Sequence, residues 1–346
     1  MTNTSTVKYP ARSILVIRMS GIGDVLWTTP LLANLRLAYP EAWIGYVVRT
    51  ASAFVLENNP DVDEIIRFED ERLWYQLGFL RRLRQRNVDL SIDLICSPAT
   101  AIQSVASRAR VRIGFDFRIR EKLYTHRLSA RDANHGHEVE FNLFVLRALE
   151  IPERTRALVW RVSDIERERA ARQWDALGFP SNVPVVALIP TGGYPSKKWP
   201  RTHWRQLLRT PGLEGVHFLV VWGSETERLD AERIVEGNPH AAIAPPGTLR
   251  DTAALLARCD AAVGNDSGPA HIATALGLPV VMFYGPSDPK SQGPWSPRAE
   301  VLRIEDVETR CCRRLDCPDP VCMTGISATR AAEALLRVLA RTETSA

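Results

Sequence analysis

Short runs rich in Ile and Val alternate with helix-period segments along most of this chain, and few folds accommodate that alternation. Parallel strands need long crossovers, which helices supply, so the pattern predicts α/β units. In the first half it predicts strands at residues 13–18, 43–48, 64–67, 90–94 and 111–114, with an arginine-laden helix over 73–86. The second half repeats the scheme with strands at 185–190, 217–222, 261–264, 280–284 and 301–304. At roughly 100 to 200 residues per domain, 346 residues suit two such units. The expected architecture is two doubly wound, Rossmann-like sheets in tandem, residues 1–160 and 161–346. Between them, Ser163 and Glu166 have capping-box spacing, and Gly178, Pro180 and Pro184 punctuate the end of the helix that follows. A last amphipathic helix over 329–341 is free to return to the N-terminal domain.

Composition removes several classes of function. With 45% hydrophobic and 24% charged residues the chain is neither disordered nor fibrous. A net charge of +4 does not make a nucleic-acid binder, and no apolar run approaches the roughly 18 to 20 residues of a membrane helix. Residues 1–12 are polar and lack an apolar core, so no secretory signal is expected and the cytoplasm is the expected location.

Ligands of doubly wound folds bind at the carboxyl ends of strands, which singles out three turns. The first, Met19-Ser20-Gly21-Ile22-Gly23-Asp24, follows strand one. Gly21 and Gly23 permit close backbone approach, but Leu26 stands where a dinucleotide fingerprint needs glycine. Strand two also ends in Arg49, not in the acid that would bind a ribose. Asp24 is either a general base for a hydroxyl or a helix cap. Thr29 as cap and Pro30 at the first helical position would leave 24–28 irregular.

The second turn runs from Pro190 through Thr191, Gly192 and Gly193 to Lys197, Lys198 and Trp199. It suits a phosphate or is a solvated loop; it lacks the P-loop spacing. The third, Gly264-Asn265-Asp266-Ser267-Gly268-Pro269-Ala270-His271, opens a helix and offers free N–H groups at its positive end, an anion site. Asp266 and Ser267 as simple caps, and His271 as a structural histidine, are the plainer readings.

Taken together, Ile17-Arg18-x-Ser20-x-x-Gly23-Asp24, Lys197-x-Trp199-Pro200 with Trp204, Trp222-Gly223-x-Glu225, Asn265-Asp266-Ser267-Gly268-Pro269-x-His271 and the run Phe283-Tyr284-Gly285-Pro286-Ser287-Asp288-Pro289 resemble the ADP-heptose:lipopolysaccharide heptosyltransferases. These form glycosyltransferase family nine, and the motifs occur in order from residue 13 to near residue 340. The resemblance implies a GT-B fold with two Rossmann-like domains facing a central cleft. It also implies an inverting, metal-independent transfer of heptose from ADP-heptose to the lipopolysaccharide inner core, with no cofactor. By the same resemblance Asp24 is the base, with Ser20, Gly21 and Gly23 on the acceptor side. Thr191, Gly192 and Lys197 meet the donor phosphate, with Lys198 competing for that role. Glu225 binds the nucleoside, and Asp266, Ser267, Gly268 and His271 form the diphosphate site.

Other signals are weaker. Asp61-Val62-Asp63 has metal-binding spacing but follows Asn58-Asn59-Pro60, so a turn is expected. His135 and His137 lack a third ligand, which favours a helix entry. Cys311, Cys312, Cys317 and Cys322 cluster without zinc-type spacing, leaving a metal or redox role open. From Arg72 to Arg131, 13 Lys and Arg face four acids. Such a segment attracts an anionic lipid-linked glycan acceptor and the inner-membrane surface, or is a set of solvated helix faces. Without stacking aromatics it is not expected to hold nucleic acid. Another nucleotide-sugar GT-B enzyme, with a different sugar or acceptor or an epimerase, and a non-catalytic anionic glycolipid-binding protein are the alternative functions.

Overall fold

A computed structural model describes residues 8–69, 72–134, 136–304, 312 and 314–343. The chain divides into two compact units, Met1–Arg161 and Val162–Ala346. In the first, strands β1 (Ser13–Ile17), β2 (Trp43–Arg49), β3 (Glu64–Phe68), β4 (Leu90–Asp93), β5 (Val111–Phe115) and β6 (His126–Leu128) form one sheet in the order β3-β2-β1-β4-β5-β6. The second unit contains β7 (Val185–Ile189), β8 (His217–Val220), β9 (Ala241–Ile243), β10 (Ala261–Asn265), β11 (Val280–Phe283) and β12 (Ala299–Leu302), ordered β12-β11-β10-β7-β8-β9. Every neighbouring pair is parallel. Both sheets therefore reverse direction once, between β1 and β4 and between β7 and β10, and crevices open at such switch points.

The central strands are buried on both faces, which explains their uninterrupted apolar sequence. Ile14 to Ile17 and Val186 to Ile189 are inaccessible to solvent. In the second unit the core joins Trp199, Trp204 and Phe283 to Leu335 and Val338 of the Ala328–Glu343 helix. That last helix packs on β10, β11 and β12 and on the Arg201–Leu207 helix, all in its own unit.

Ten expected strands are present, with β12 lying two residues before its expected place. The edge strands β6 and β9 were not expected; at three residues each they are too short to show a period. The Ser163 capping box forms as expected: Ser163 Oγ accepts from the Glu166 N–H at 3.3 Å, and the Glu166 carboxylate accepts from the Ser163 N–H at 2.7 Å. Gly178 ends that helix at φ +69°, a left-handed conformation that suits glycine. Residues 24–28, expected to be irregular, are largely helical, because Ile22–Leu26 forms its own short helix capped by Gly21. The next helix, Thr29–Ala38, accordingly takes Thr28 as its cap and Pro30 at its second position.

Candidate active site

The first switch point is organised by a buried arginine. β1 ends at Ile17, and Arg18 follows with its side chain 9% exposed. Its Nη2 donates to Asp24 Oδ1 at 2.9 Å and to Glu138 Oε2 at 3.0 Å, and its Nη1 donates to the Leu94 carbonyl at 3.0 Å. Buried Asp93 holds the β4 turn that presents Leu94, its Oδ1 accepting from the Ile95 and Cys96 N–H groups at 3.0 and 2.9 Å. Burial lowers the pKa of Arg18, but the charges of Asp24 and Glu138 outweigh it, so the guanidinium is held above its ordinary value. A carboxylate held by a permanent cation and part-open to solvent can accept a proton from a hydroxyl.

Asp24 also caps its own helix, Oδ2 accepting from the Gly21 N–H at 3.3 Å. Gly23 lies inside that short helix, its carbonyl accepting from Trp27 at 2.8 Å. Half-buried Ser20 gives its carbonyl to the Ser52 hydroxyl at 2.9 Å, which ties the turn to the Thr50–Leu56 3-10 helix.

The second switch point joins two turns through Asn265. This fully buried amide donates to the carbonyls of Pro190 and Thr191 at 2.9 and 3.2 Å, and its Oδ1 accepts from the Trp199 N–H at 3.0 Å. The end of β10 thereby fixes both ends of the 190–199 loop. Lys197, in the 3-10 turn Pro195–Lys197, places Nζ 2.6 Å from Asp266 Oδ2, and His271 Nε2 lies 3.3 Å from Oδ1 of the same carboxylate. Burial pushes the Asp266 carboxyl up, but His271 and Lys197 together hold it well below the usual carboxylate range.

Ser267 is the cap residue of the Gly268–Ala275 helix, yet its side chain makes no capping bond. Its hydroxyl lies 3.4 Å from Thr191 Oγ1 instead. Among the described residues no acceptor bonds the first-turn N–H groups of Gly268 and Ala270, while Pro269 has none to offer. At Gly264 an added Cβ would come within 2.9 Å of Ile189 and 3.3 Å of Ala270, so glycine is what lets strand and helix approach.

Lys198 is placed differently from Lys197. Its Nζ lies 2.9 Å from Glu227 Oε1, and Glu227 also accepts from the Gly192 and Gly223 N–H groups at 3.4 and 3.1 Å. Its stem crosses Gly192, where a Cβ would meet Lys198 Cγ at 3.1 Å. Glu225 opens the Glu225–Val235 helix with its side chain 69% exposed and pairs with Arg228 at 2.6 Å, apart from the Lys197 cluster.

Arg18, Glu138, Asn265 and Glu227 organise the two turns, although the sequence alone assigns them no role. Arg18 and Asn265 stand within quoted motifs, and that was the available signal. Nothing in sequence ties Glu138 to a partner 120 residues away. The other signals resolve quietly. Asp63 accepts from the Ile44 N–H at 2.7 Å and from Arg36 at 2.6 Å, making 61–63 a structural turn. His137 is the cap of the Glu138–Leu143 helix, the expected helix entry, while His135 lies outside the described residues. Cys311 also lies outside them. Burial, then the neighbouring Cys312 and Cys317, push the Cys322 thiol up. Among the described residues no three His, Cys, Asp or Glu side chains are grouped to hold a metal ion, and no helix is long and apolar enough to cross a membrane.

Residues 77–321 match the sequence model of glycosyltransferase family 9 (heptosyltransferase). The chain belongs to glycosyltransferase family 9. As a family 9 glycosyltransferase it is 27% identical to lipopolysaccharide heptosyltransferase 1 of Pseudomonas aeruginosa, across 96% of this chain and 99% of the relative. Its structure resembles a family 9 glycosyltransferase of Veillonella parvula, with TM-score 0.83, 23% identity and coverage of 95% and 97%. It also resembles the ADP-heptose lps heptosyltransferase II of Escherichia coli, with TM-score 0.75, 25% identity and coverage of 96% and 99%. The two Rossmann-like units are those of the GT-B fold.

Proposed function

We propose that this family 9 glycosyltransferase is an inverting enzyme that moves heptose from ADP-heptose to the inner core of lipopolysaccharide without a divalent metal. The Lys197–Asp266–His271 cluster at the open helix start carries this reading. A sugar leaving a nucleoside diphosphate needs its growing negative charge stabilised. Two free protons on the Lys197 ammonium, the N–H groups of Gly268 and Ala270, and the hydroxyls of Thr191 and Ser267 supply that stabilisation. Asp266 orients Lys197, and His271 fixes Asp266. Lys198, neutralised by Glu227, shapes the Gly192 turn and leaves phosphate contact to Lys197. Glu225, exposed and among the described residues tethered by Arg228 alone, is free to turn toward a ribose.

Asp24 serves as base, taking the acceptor hydroxyl proton while the oxygen attacks the anomeric carbon from the face opposite the leaving ADP. One displacement inverts the configuration. Support for donor and acceptor comes from the relatives named for ADP-heptose and lipopolysaccharide. An acceptor carrying phosphates and carboxylates suits the arginine-rich 72–131 segment, and its lipid anchor puts the work at the cytoplasmic face of a membrane. The test is NMR of the product formed from ADP-heptose and a Kdo-lipid A or heptosylated acceptor in excess chelator. Inversion at the anomeric carbon supports the reading; retention, or loss of product on chelation, overturns it.

A further inference from the structure

The Pro98–Ala106 helix is built inside out. Its polar residues Thr100, Gln103 and Ser104 are buried, at 3% exposure or less, while Ile102 and Val105 are 51% and 42% exposed and Pro98 and Ala99 lie beside them in solvent. Partners hold most of these buried polar atoms, although Gln103 Oε1 has none among the described residues. Thr100 Oγ1 accepts from the Ser97 N–H at 2.9 Å, Ser104 Oγ meets Ser91 Oγ at 3.0 Å, and Gln103 Nε2 reaches Met19 Sδ at 3.7 Å. A solvated helix has the opposite arrangement, so the outer face is built for something other than water.

The neighbouring elements continue that surface. The Leu73–Arg84 helix packs beside this one and exposes Leu77, at 58%, on the same helical stripe as Arg81 and Arg84. The Arg118–Leu123 3-10 helix also packs on the Pro98–Ala106 helix and exposes Lys122 and Leu123. Arg108 and Arg110 follow the helix directly and are exposed. Among the described residues, no carboxylate forms an ion pair with Arg81, Arg84, Arg108, Arg110 or Lys122.

We infer that this surface docks on an anionic lipid bilayer, Ile102, Val105 and Leu77 entering the interface while the flanking cations meet lipid phosphates. Apolar side chains ringed by unpaired Lys and Arg suit a layer that is apolar within and negative at its surface. A protein partner would need matching acids and a shaped pocket, and an apolar helix face with a cationic border asks for neither. The inference deepens the lipid-linked acceptor reading and rests on it for its purpose.

The test is co-sedimentation of the full chain with vesicles of phosphatidylethanolamine and phosphatidylglycerol, against phosphatidylcholine alone. The wild type binds the anionic vesicles, and binding fades as salt rises. Ile102→Asp/Val105→Asp together lower the partition coefficient about tenfold or more, with an unchanged circular dichroism spectrum. Arg108→Glu/Arg110→Glu lower it to a similar degree on anionic vesicles only. Equal binding to both lipids, or an undiminished Ile102→Asp/Val105→Asp variant, overturns the inference. So does a dimer that this variant dissolves while vesicle binding is absent. Transfer to a deacylated, water-soluble acceptor separates the two readings: it survives in the Ile102/Val105 variant, and its absence in the wild type counts against the acceptor and not against the docking face.

Discussion

The Lys197 ammonium stands 2.6 Å from one oxygen of Asp266, while His271 lies 3.3 Å from the other. Both members of the ion pair are largely buried, so the lysine is aimed before any donor arrives. Lys197→Ala therefore lowers ADP affinity by about 10- to 100-fold, the range of one or two charge-assisted hydrogen bonds. Lys198→Ala has the smaller effect, because Glu227 already holds that ammonium. Calorimetric titration of ADP into both variants checks the order; a larger loss at Lys198 would reverse the assignment.

Asn265 predicts a stability effect of its own. Asn265→Ala leaves two buried carbonyls and the Trp199 N–H without their partner, at a cost of about 2–4 kcal/mol. Donor affinity falls with it, since the 190–199 loop loses its tether. Denaturant unfolding measures the first and ADP titration the second. A variant as stable as the wild type would mean that the loop is held by other contacts.

Acid should expose the Asp266 network. The folded carboxyl titrates below its ordinary value of about 4, so its contribution is fully present above that pH and is lost as pH falls toward the depressed folded value. Asp266→Asn removes a group whose proton uptake favours the unfolded chain. Its stability is lower than the wild type's at neutral pH and falls less steeply below about pH 4. Denaturant midpoints measured across that range test the sign; parallel curves would contradict it.

Glu225 and Glu227 separate by what they touch. Glu225→Ala weakens ADP binding and leaves the melting temperature unchanged, because its exposed pair with Arg228 is screened by solvent. Glu227→Ala lowers the melting temperature, because the carboxylate holds Lys198 and the Gly192 and Gly223 N–H groups. Thermal melts with and without ADP distinguish the two, and unchanged ADP binding in Glu225→Ala would remove that residue from the nucleoside site.

What could be read in the sequence follows from the range of the forces involved. Central strands announce themselves because burial on both faces demands continuous apolar residues, as at Ile14 to Ile17. The edge strands β6 and β9 do not, since three residues carry no period and their edges face solvent. Turn chemistry at Gly21, Gly192 and Gly268 was visible because glycine there serves local geometry. The Arg18–Glu138 contact was not, because it depends on the sheet bringing residues 120 apart in sequence together. The inverted Pro98–Ala106 helix was hidden for the same reason: Ser104 and the Gln103 amide N–H meet Ser91 and Met19, which only the fold supplies.

ADP release from ADP-heptose in excess chelator, with and without a Kdo-lipid A or heptosylated core acceptor, decides whether Asp24 drives heptose transfer when the wild type is compared with Asp24→Asn. The wild type should release ADP only with acceptor present, and Asp24→Asn should fall by about 10²- to 10⁴-fold with ADP affinity unchanged. Acceptor-independent release, or full activity in Asp24→Asn, would contradict this.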